Sequence, residues 1–202
     1  MTLADQTVRE FLEALAAKQP TPGGGAVASV TTAISAALGR MVVNYSLGKK
    51  SLAAHDALHQ EAIASLAELG SRALRLADDD AAAYGRLNAL WKLDKADPKR
   101  VAEFPQAVEQ AIAAPHAVLH ACMELLRLLD RLCGATNAML ASDLAIAAVL
   151  AEAGARSAAW NVRINLPLIE DLGVREVFER TLTQSLADAH TLAQRIEMRC
   201  SA

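Results

Sequence analysis

Between Ser51 and Leu93 the apolar residues recur at helical spacing almost without interruption, with Leu58, Ile63, Leu66, Leu69, Leu74 and Leu76 set among charges. A strand turns successive side chains to opposite faces, so a pattern of this period and length cannot be laid along one. The spacing predicts one long helix, weakened at Gly70. A helix of that length needs partners of comparable length, and the rest of the chain supplies them. Val8, Phe11, Leu12 and Leu15 predict a helix running to about Lys18, stopped by Pro20 and Pro22. A second helix runs from the glycines at 23–25 to about Leu47, apolar or small around nearly its whole circumference, which marks a central helix. Lys92 to Lys99 reads as a connection. Val101 to Cys133 then resumes the helical pattern with a kink expected at Pro115, Ala135 to about Ile169 follows, and Val174 to Met198 closes the chain.

Hydrophobic residues make up 53% of the 202 residues and aromatics only 3%. A core of Ala, Leu, Val and Ile suits closely spaced helices better than a sheet. The expectation is an all-α single domain over residues 1–202, an antiparallel bundle of five to six mostly long helices. Such smooth faces carry little apolar bulk per helix, which predicts a homodimer built helix against helix.

Several classes of function are set aside. The 20 basic and 23 acidic residues are interspersed, for a net charge of −3, and form no basic stripe, so no nucleic-acid partner is expected. The first 18 residues lack the uninterrupted apolar stretch of a signal peptide, which predicts a cytoplasmic protein. The stretch from Ala26 to Gly39 is short and rich in Ser, Thr and Gly, so no membrane span is expected. Cys122, Cys133 and Cys200 are odd in number and without CxxC spacing, which fits reduced thiols. His55/His59 and His116/His120 have i, i+4 spacing but no accompanying Glu and no evident third ligand, so no metal is expected.

The residues that remain unexplained by packing are polar ones in apolar surroundings and glycines in a row. Pro20-Thr21-Pro22-Gly23-Gly24-Gly25 leads directly into the central helix. Glycines there allow close approach of backbone to a ligand, at a helix end whose N–H groups are free. There is no GxxxxGK[ST] pattern and no preceding strand, so this is not a nucleotide loop. Asp78, Asp79 and Asp80 occupy consecutive helical positions and cannot all face one way; they form either a solvated acidic face or supply one carboxylate to a cleft. Asp143 stands in Ala138 to Leu150, where every other residue except Ser142 is apolar. It either caps a helix segment or lines a cleft. Asn161 and Asn165, one turn apart, either face a ligand or bridge helices. Lys49 and Lys50, after a helix end, are either solvated charges or hold a carboxylate.

In order and spacing, the glycine segment, Gly48-Lys49-Lys50, Ala77-Asp78-Asp79-Asp80-Ala81, Ser142-Asp143 and Asn161-Val162-Arg163-Ile164-Asn165-Leu166 resemble the cyclodeaminase/cyclohydrolase family. That family comprises the cyclodeaminase domain of formiminotransferase-cyclodeaminase and stand-alone bacterial relatives such as methenyltetrahydrofolate cyclohydrolase. Nearly the whole chain shares the likeness. It departs from the family at Ser51-Leu52, where an aromatic is frequent, and at Leu93-Asp94-Lys95, where a proline-lysine pair is frequent.

The resemblance implies chemistry on a tetrahydrofolate derivative bound as substrate, with no further cofactor. The first expectation is hydration of 5,10-methenyltetrahydrofolate to 10-formyltetrahydrofolate. The second is closure of 5-formiminotetrahydrofolate with release of ammonia, and the third is a catalytically silent helical dimer. On this reading Asp143 or Asp80 is the general base with Asp78 in support. Asn161 and Asn165 bind the pterin edge or formyl oxygen, and the backbone of Gly23, Gly24 and Gly25 approaches the ligand. Lys49 and Lys50 hold the glutamate carboxylates of the folate tail.

Overall fold

A computed structural model describes residues 2–201. Within them the chain forms six α-helices and no strand: α1 (Val8–Ala16), α2 (Gly24–Asn44), α3 (Asp56–Trp91), α4 (Pro98–Leu132), α5 (Ala141–Asn165) and α6 (Leu172–Ser201). Short 3-10 turns occupy Leu3–Asp5, Lys50–His55, Ala138–Leu140 and Leu166–Leu168.

Helix ends follow local chemistry. Thr7 accepts from the Glu10 N–H while the Glu10 carboxylate takes the Thr7 N–H at 2.7 Å, a reciprocal cap that starts α1. Asp97 accepts from the N–H groups of Lys99 and Arg100 and starts α4 at Pro98, three residues before the periodicity alone places it. Gly134, at φ +76°, turns the chain out of α4, so α5 begins only at Ala141 after a 3-10 turn. Asp171 accepts from Gly173 and Val174 at the start of α6. Helix-disfavouring residues inside α3 and α4 do not end them. α3 runs unbroken through Gly70, because that residue is seated against Ala33 and Ala36 of α2 and tertiary packing outweighs its poor intrinsic propensity. α4 likewise remains one helix through Pro105 and the buried Pro115.

The central helix is α2, packed between α3 and α5, with α4 and α6 completing the bundle. Its contact with α5 explains the shortage of large side chains. A Cβ added at Gly154 of α5 would lie 2.7 Å from Thr32 Oγ1 and 3.1 Å from Cys122 Sγ. Ser35 donates across the same interface to the Ala147 carbonyl at 2.6 Å, and Thr32 donates back to Ala28. Backbones this close leave room only for Ala, Gly, Ser and Thr; the hydroxyls of Thr32 and Ser35 are satisfied by carbonyls, while the buried Ser29 hydroxyl has no hydrogen-bond partner among the described residues. Larger side chains, Leu66 of α3 and Leu119, Leu125, Leu126, Leu129 and Leu132 of α4, are fully buried elsewhere in the core, and Leu66 and Leu129 both pack against Gly39 of α2.

By length and composition three helical stretches are able to cross a membrane: Gly24–Asn44, Pro98–Leu132 and Ala138–Leu168. The expectation drawn from Ala26 to Gly39 therefore fails on length, since the helix continues past Gly39 to Asn44. What α2 does in this fold is bury Ser29, Thr32 and Ser35 between α3 and α5.

α2 and α5 run antiparallel. The first turn of α2 meets Asn161 near the end of α5, whereas Ser46, just past α2, accepts from the Asn137 N–H just before α5. The bundle therefore has two distinct ends, about 30 Å apart along the 21 residues of α2.

Candidate active site

At one end the glycine segment, α3 and α5 enclose a cleft of about 430 Å³. Its floor is the N-terminus of α2. Gly23 is the N-cap, the first α2 hydrogen bond is donated by Val27 to Gly23, and the N–H groups of Gly24, Gly25 and Ala26 precede that bond. Pro20 and Thr21 form one rim, ahead of a cis Thr21–Pro22 peptide.

Asp80 of α3 projects into the cleft and comes so close to Gly25 that a Cβ there would lie 2.0 Å from Oδ2, 2.4 Å from Cγ and 2.7 Å from Oδ1. Only glycine leaves the carboxyl group its space. Asp80 is half-buried, and burial pushes its pKa up from the ordinary carboxylate range. Among the described residues no hydrogen bond offsets that desolvation. A carboxyl group that is desolvated and still faces a cleft is suited to taking and returning a proton.

The end of α5 supplies the opposite wall through Asn161, Ile164 and Asn165, continued by Leu168 of the following 3-10 turn. Asn161 Nδ2 donates to the Ser157 carbonyl at 2.9 Å, and its Oδ1 lies 3.1 Å from where a Gly24 Cβ would be. Asn165 Nδ2 donates to both Ala111 of α4 and Asn161, so its two N–H groups tie α5 to α4 and only its carbonyl oxygen is left for a ligand. Asn161 thus keeps one N–H and an oxygen toward the cleft, while Asn165 is chiefly a bridge between α5 and α4.

The sequence-predicted residues divide between the two ends. Gly23, Gly24, Gly25, Asp80, Asn161 and Asn165 come together around the cleft. Asp78 faces elsewhere and accepts from the Leu3 N–H at 3.0 Å, holding the N-terminal 3-10 turn against α3. Asp143 sits in the first turn of α5, about 27 Å along that helix from Asn161. Lys49 and Lys50 follow α2, with Lys49 capping the turn Lys50–His55, at the same distant end as Asp143. Consecutive aspartates point 100° apart and an antiparallel bundle separates the ends of its helices, so neither outcome is readable from spacing alone.

Tyr84 and Trp91 also line the cleft, from α3. Their signal was present in the sequence: they stand four and eleven residues after Asp80, on its own face of the helix, in a chain with seven aromatics. They give the cleft flat apolar surfaces able to stack on a planar ring. Among the described residues no three His, Cys, Asp or Glu side chains converge as a metal would require.

A family model described as formiminotransferase-cyclodeaminase matches residues 7–184. The chain is 31% identical to the methenyltetrahydrofolate cyclohydrolase of Methylorubrum extorquens, over 95% of this chain and 94% of that one. It is 29% identical to the formimidoyltransferase-cyclodeaminase of Rattus norvegicus, but there the match spans only 36% of the longer protein. Among solved structures the formiminotetrahydrofolate cyclodeaminase of Thermotoga maritima superposes with a TM-score of 0.87 at 28% identity, covering 98% of this chain and 97% of the other.

Proposed function

The chain belongs to the formiminotransferase-cyclodeaminase family, and on that premise we propose that it hydrolyses 5,10-methenyltetrahydrofolate to 10-formyltetrahydrofolate in the cleft around Asp80. The observation that carries the reading is the Asp80 carboxyl group lodged against Gly25 at the start of α2. The relative that the chain matches nearly end to end is a methenyltetrahydrofolate cyclohydrolase.

The substrate is a cationic amidinium whose bridging carbon is electrophilic. Asp80 accepts a proton from a water molecule as its oxygen bonds to that carbon, and one carbon–nitrogen π bond collapses onto N5. The tetrahedral adduct then breaks its bond to N5, which takes the proton back from Asp80, while the adduct's hydroxyl gives up its remaining proton to solvent and its oxygen becomes the formyl carbonyl on N10. The net change is addition of one water and release of one proton. The carboxylate also stabilises the cation beside it before the proton moves. The backbone N–H groups of Gly24 and Gly25 and the open N–H of Asn161 are donors for the new oxygen. Tyr84 and Trp91 offer a surface for the pterin. These residues supply the acid/base chemistry with the folate derivative as substrate, and no further cofactor enters the proposal.

The second reading is cyclodeamination of 5-formiminotetrahydrofolate, favoured by the structural likeness to a cyclodeaminase. Both reactions use a proton carrier beside the same carbon, so assays separate them. Purified protein that accelerates loss of methenyltetrahydrofolate absorbance over the spontaneous rate supports the first. Ammonia release from 5-formiminotetrahydrofolate without that acceleration supports the second.

The proposal includes a homodimer. α1 buries no residue, and its Val8 and Leu12 join Ile34 of α2 in an exposed apolar groove. A second copy is a fitting cover for it. Light scattering at micromolar concentration is expected to give twice the mass of the chain, 21.4 kDa; a monomer there overturns the dimer.

A further inference from the structure

We propose that Asn165 selects the oxidation state of the ligand's ring, its carboxamide oxygen accepting a hydrogen from a ring N–H that only reduced pterins carry; the assignment rests on the folate reading above. The residue closes α5, is half-buried, and lines the cleft one helical turn beyond Asn161.

The orientation of the amide is fixed by its partners. Nδ2 lies 3.2 Å from the Ala111 carbonyl oxygen of α4 and 3.0 Å from that of Asn161, and donates to both. Turned over, the amide would set its oxygen against two carbonyl oxygens, so it does not reverse. With both N–H groups committed, the atom offered to the cleft is an acceptor and nothing else. The other polar side chains lining the cleft differ from it. The hydroxyls of Thr21 and Tyr84 turn to give or accept, the Trp91 indole only gives, and Asp80 takes and returns a proton. Asn161 shows both an N–H and an oxygen. Among these side chains Asn165 alone keeps one hydrogen-bonding sense, accepting, throughout the reaction.

Position supplies the donor. Asn161 and Asn165 stand at i and i+4 on one helix face, about 5–6 Å apart at Cβ. In the reaction described above, Asn161 faces the oxygen added to the carbon between N5 and N10. N8 lies directly across the ring from N5. A ring held flat against Tyr84 and Trp91, with its reacting carbon beside Asp80, therefore places N8 along α5 at Asn165. In tetrahydropterins and 7,8-dihydropterins N8 bears a hydrogen, which the Asn165 oxygen accepts. In a fully oxidised pterin N8 is a bare lone pair, and acceptor then meets acceptor. A half-buried oxygen that has lost access to water and gains no donor is costly, so the oxidised ring is rejected.

The test is binding of 7,8-dihydrofolate and of folic acid, read by calorimetry and so independent of turnover, with tetrahydrofolate titrated alongside. The first two share their tail and a trigonal C6 and differ at N8 and C7. The native protein is expected to bind dihydrofolate about tenfold more tightly than folic acid, the scale of one hydrogen bond whose loss leaves a desolvated acceptor. Asn165→Ala brings the two affinities together, and Asn165→Gln restores part of the difference. Because the quantity is a ratio within one variant, a general loosening of α5 against α4 does not move it. Asn161→Ala keeps the ratio, since it is the main-chain carbonyl of Asn161 that holds the Asn165 amide. A native protein that binds both equally, an Asn165→Ala variant that keeps the preference, or an Asn161→Ala variant that loses it overturns the assignment and leaves the folate reading in place. Failure of tetrahydrofolate itself to bind overturns the folate reading, and this assignment with it.

Discussion

The absent side chain of Gly25 is the space that the Asp80 carboxyl group occupies, since a Cβ at Gly25 would lie 2.0 Å from Asp80 Oδ2. The two residues are far apart in sequence, on α2 and α3, and each accounts for the other. Gly25→Ala is expected to fold, because alanine is the better helix former and the clash is relieved by turning Asp80 away. Turnover of methenyltetrahydrofolate falls by about a hundredfold, the scale of losing a positioned base. At Gly24 the nearest atom to an added Cβ is Asn161 Oδ1 at 3.1 Å, so Gly24→Ala costs less. Steady-state kinetics on the two variants check this order.

Asp80 also leaves a signature in stability. Burial raises its pKa in the folded protein above that in the unfolded chain. The folded state therefore holds its proton to higher pH, and stability falls as pH rises through the interval between the two values. Asp80→Asn removes that cost. Its melting temperature is expected to exceed the native one at neutral pH, with the difference vanishing below the ordinary carboxylate range. Thermal melts across pH read the effect directly.

Asp78 and Asp143 predict contrasting results. Asp78→Asn weakens the anchor for the Leu3 N–H and loosens the N-terminal turn, which hydrogen exchange over residues 2–7 detects. Asp143→Asn, at the far end of α5, leaves turnover far closer to native than does Asp80→Asn.

The close approach of α2 and α5 sets a stability prediction. Gly154→Ala drives a methyl group to within 2.7 Å of the buried Thr32 hydroxyl. Overpacking of this kind costs about 1–3 kcal/mol, measurable by denaturant unfolding, and Thr32→Ala in the same chain, which removes the clashing hydroxyl, recovers part of it.

Most of the fold was legible because each helix announces itself by period, and proline and glycine mark the breaks. The boundaries that moved, at Pro98 and Ala141, were set by an aspartate cap and a left-handed glycine. Gly70 kept its helix because α2 packs against it, a fact no local pattern carries. In the cleft, the glycine triplet and the two asparagines stood out as polar or small residues where apolar ones belong. Choosing Asp80 over Asp78 needed the rotation of α3 about its axis. Separating Asp143 and Lys49 from the cleft needed the antiparallel course of α2 and α5. Tyr84 and Trp91 were overlooked because aromatic residues on a helix face read first as core.

The most direct measurement is the rate of methenyltetrahydrofolate hydrolysis by native protein and by Asp80→Asn, each corrected for the spontaneous reaction. Acceleration by the native protein that falls by about a hundredfold or more in Asp80→Asn, with its fold retained, is the predicted result. Undiminished acceleration by Asp80→Asn contradicts the assignment of Asp80 as the proton acceptor.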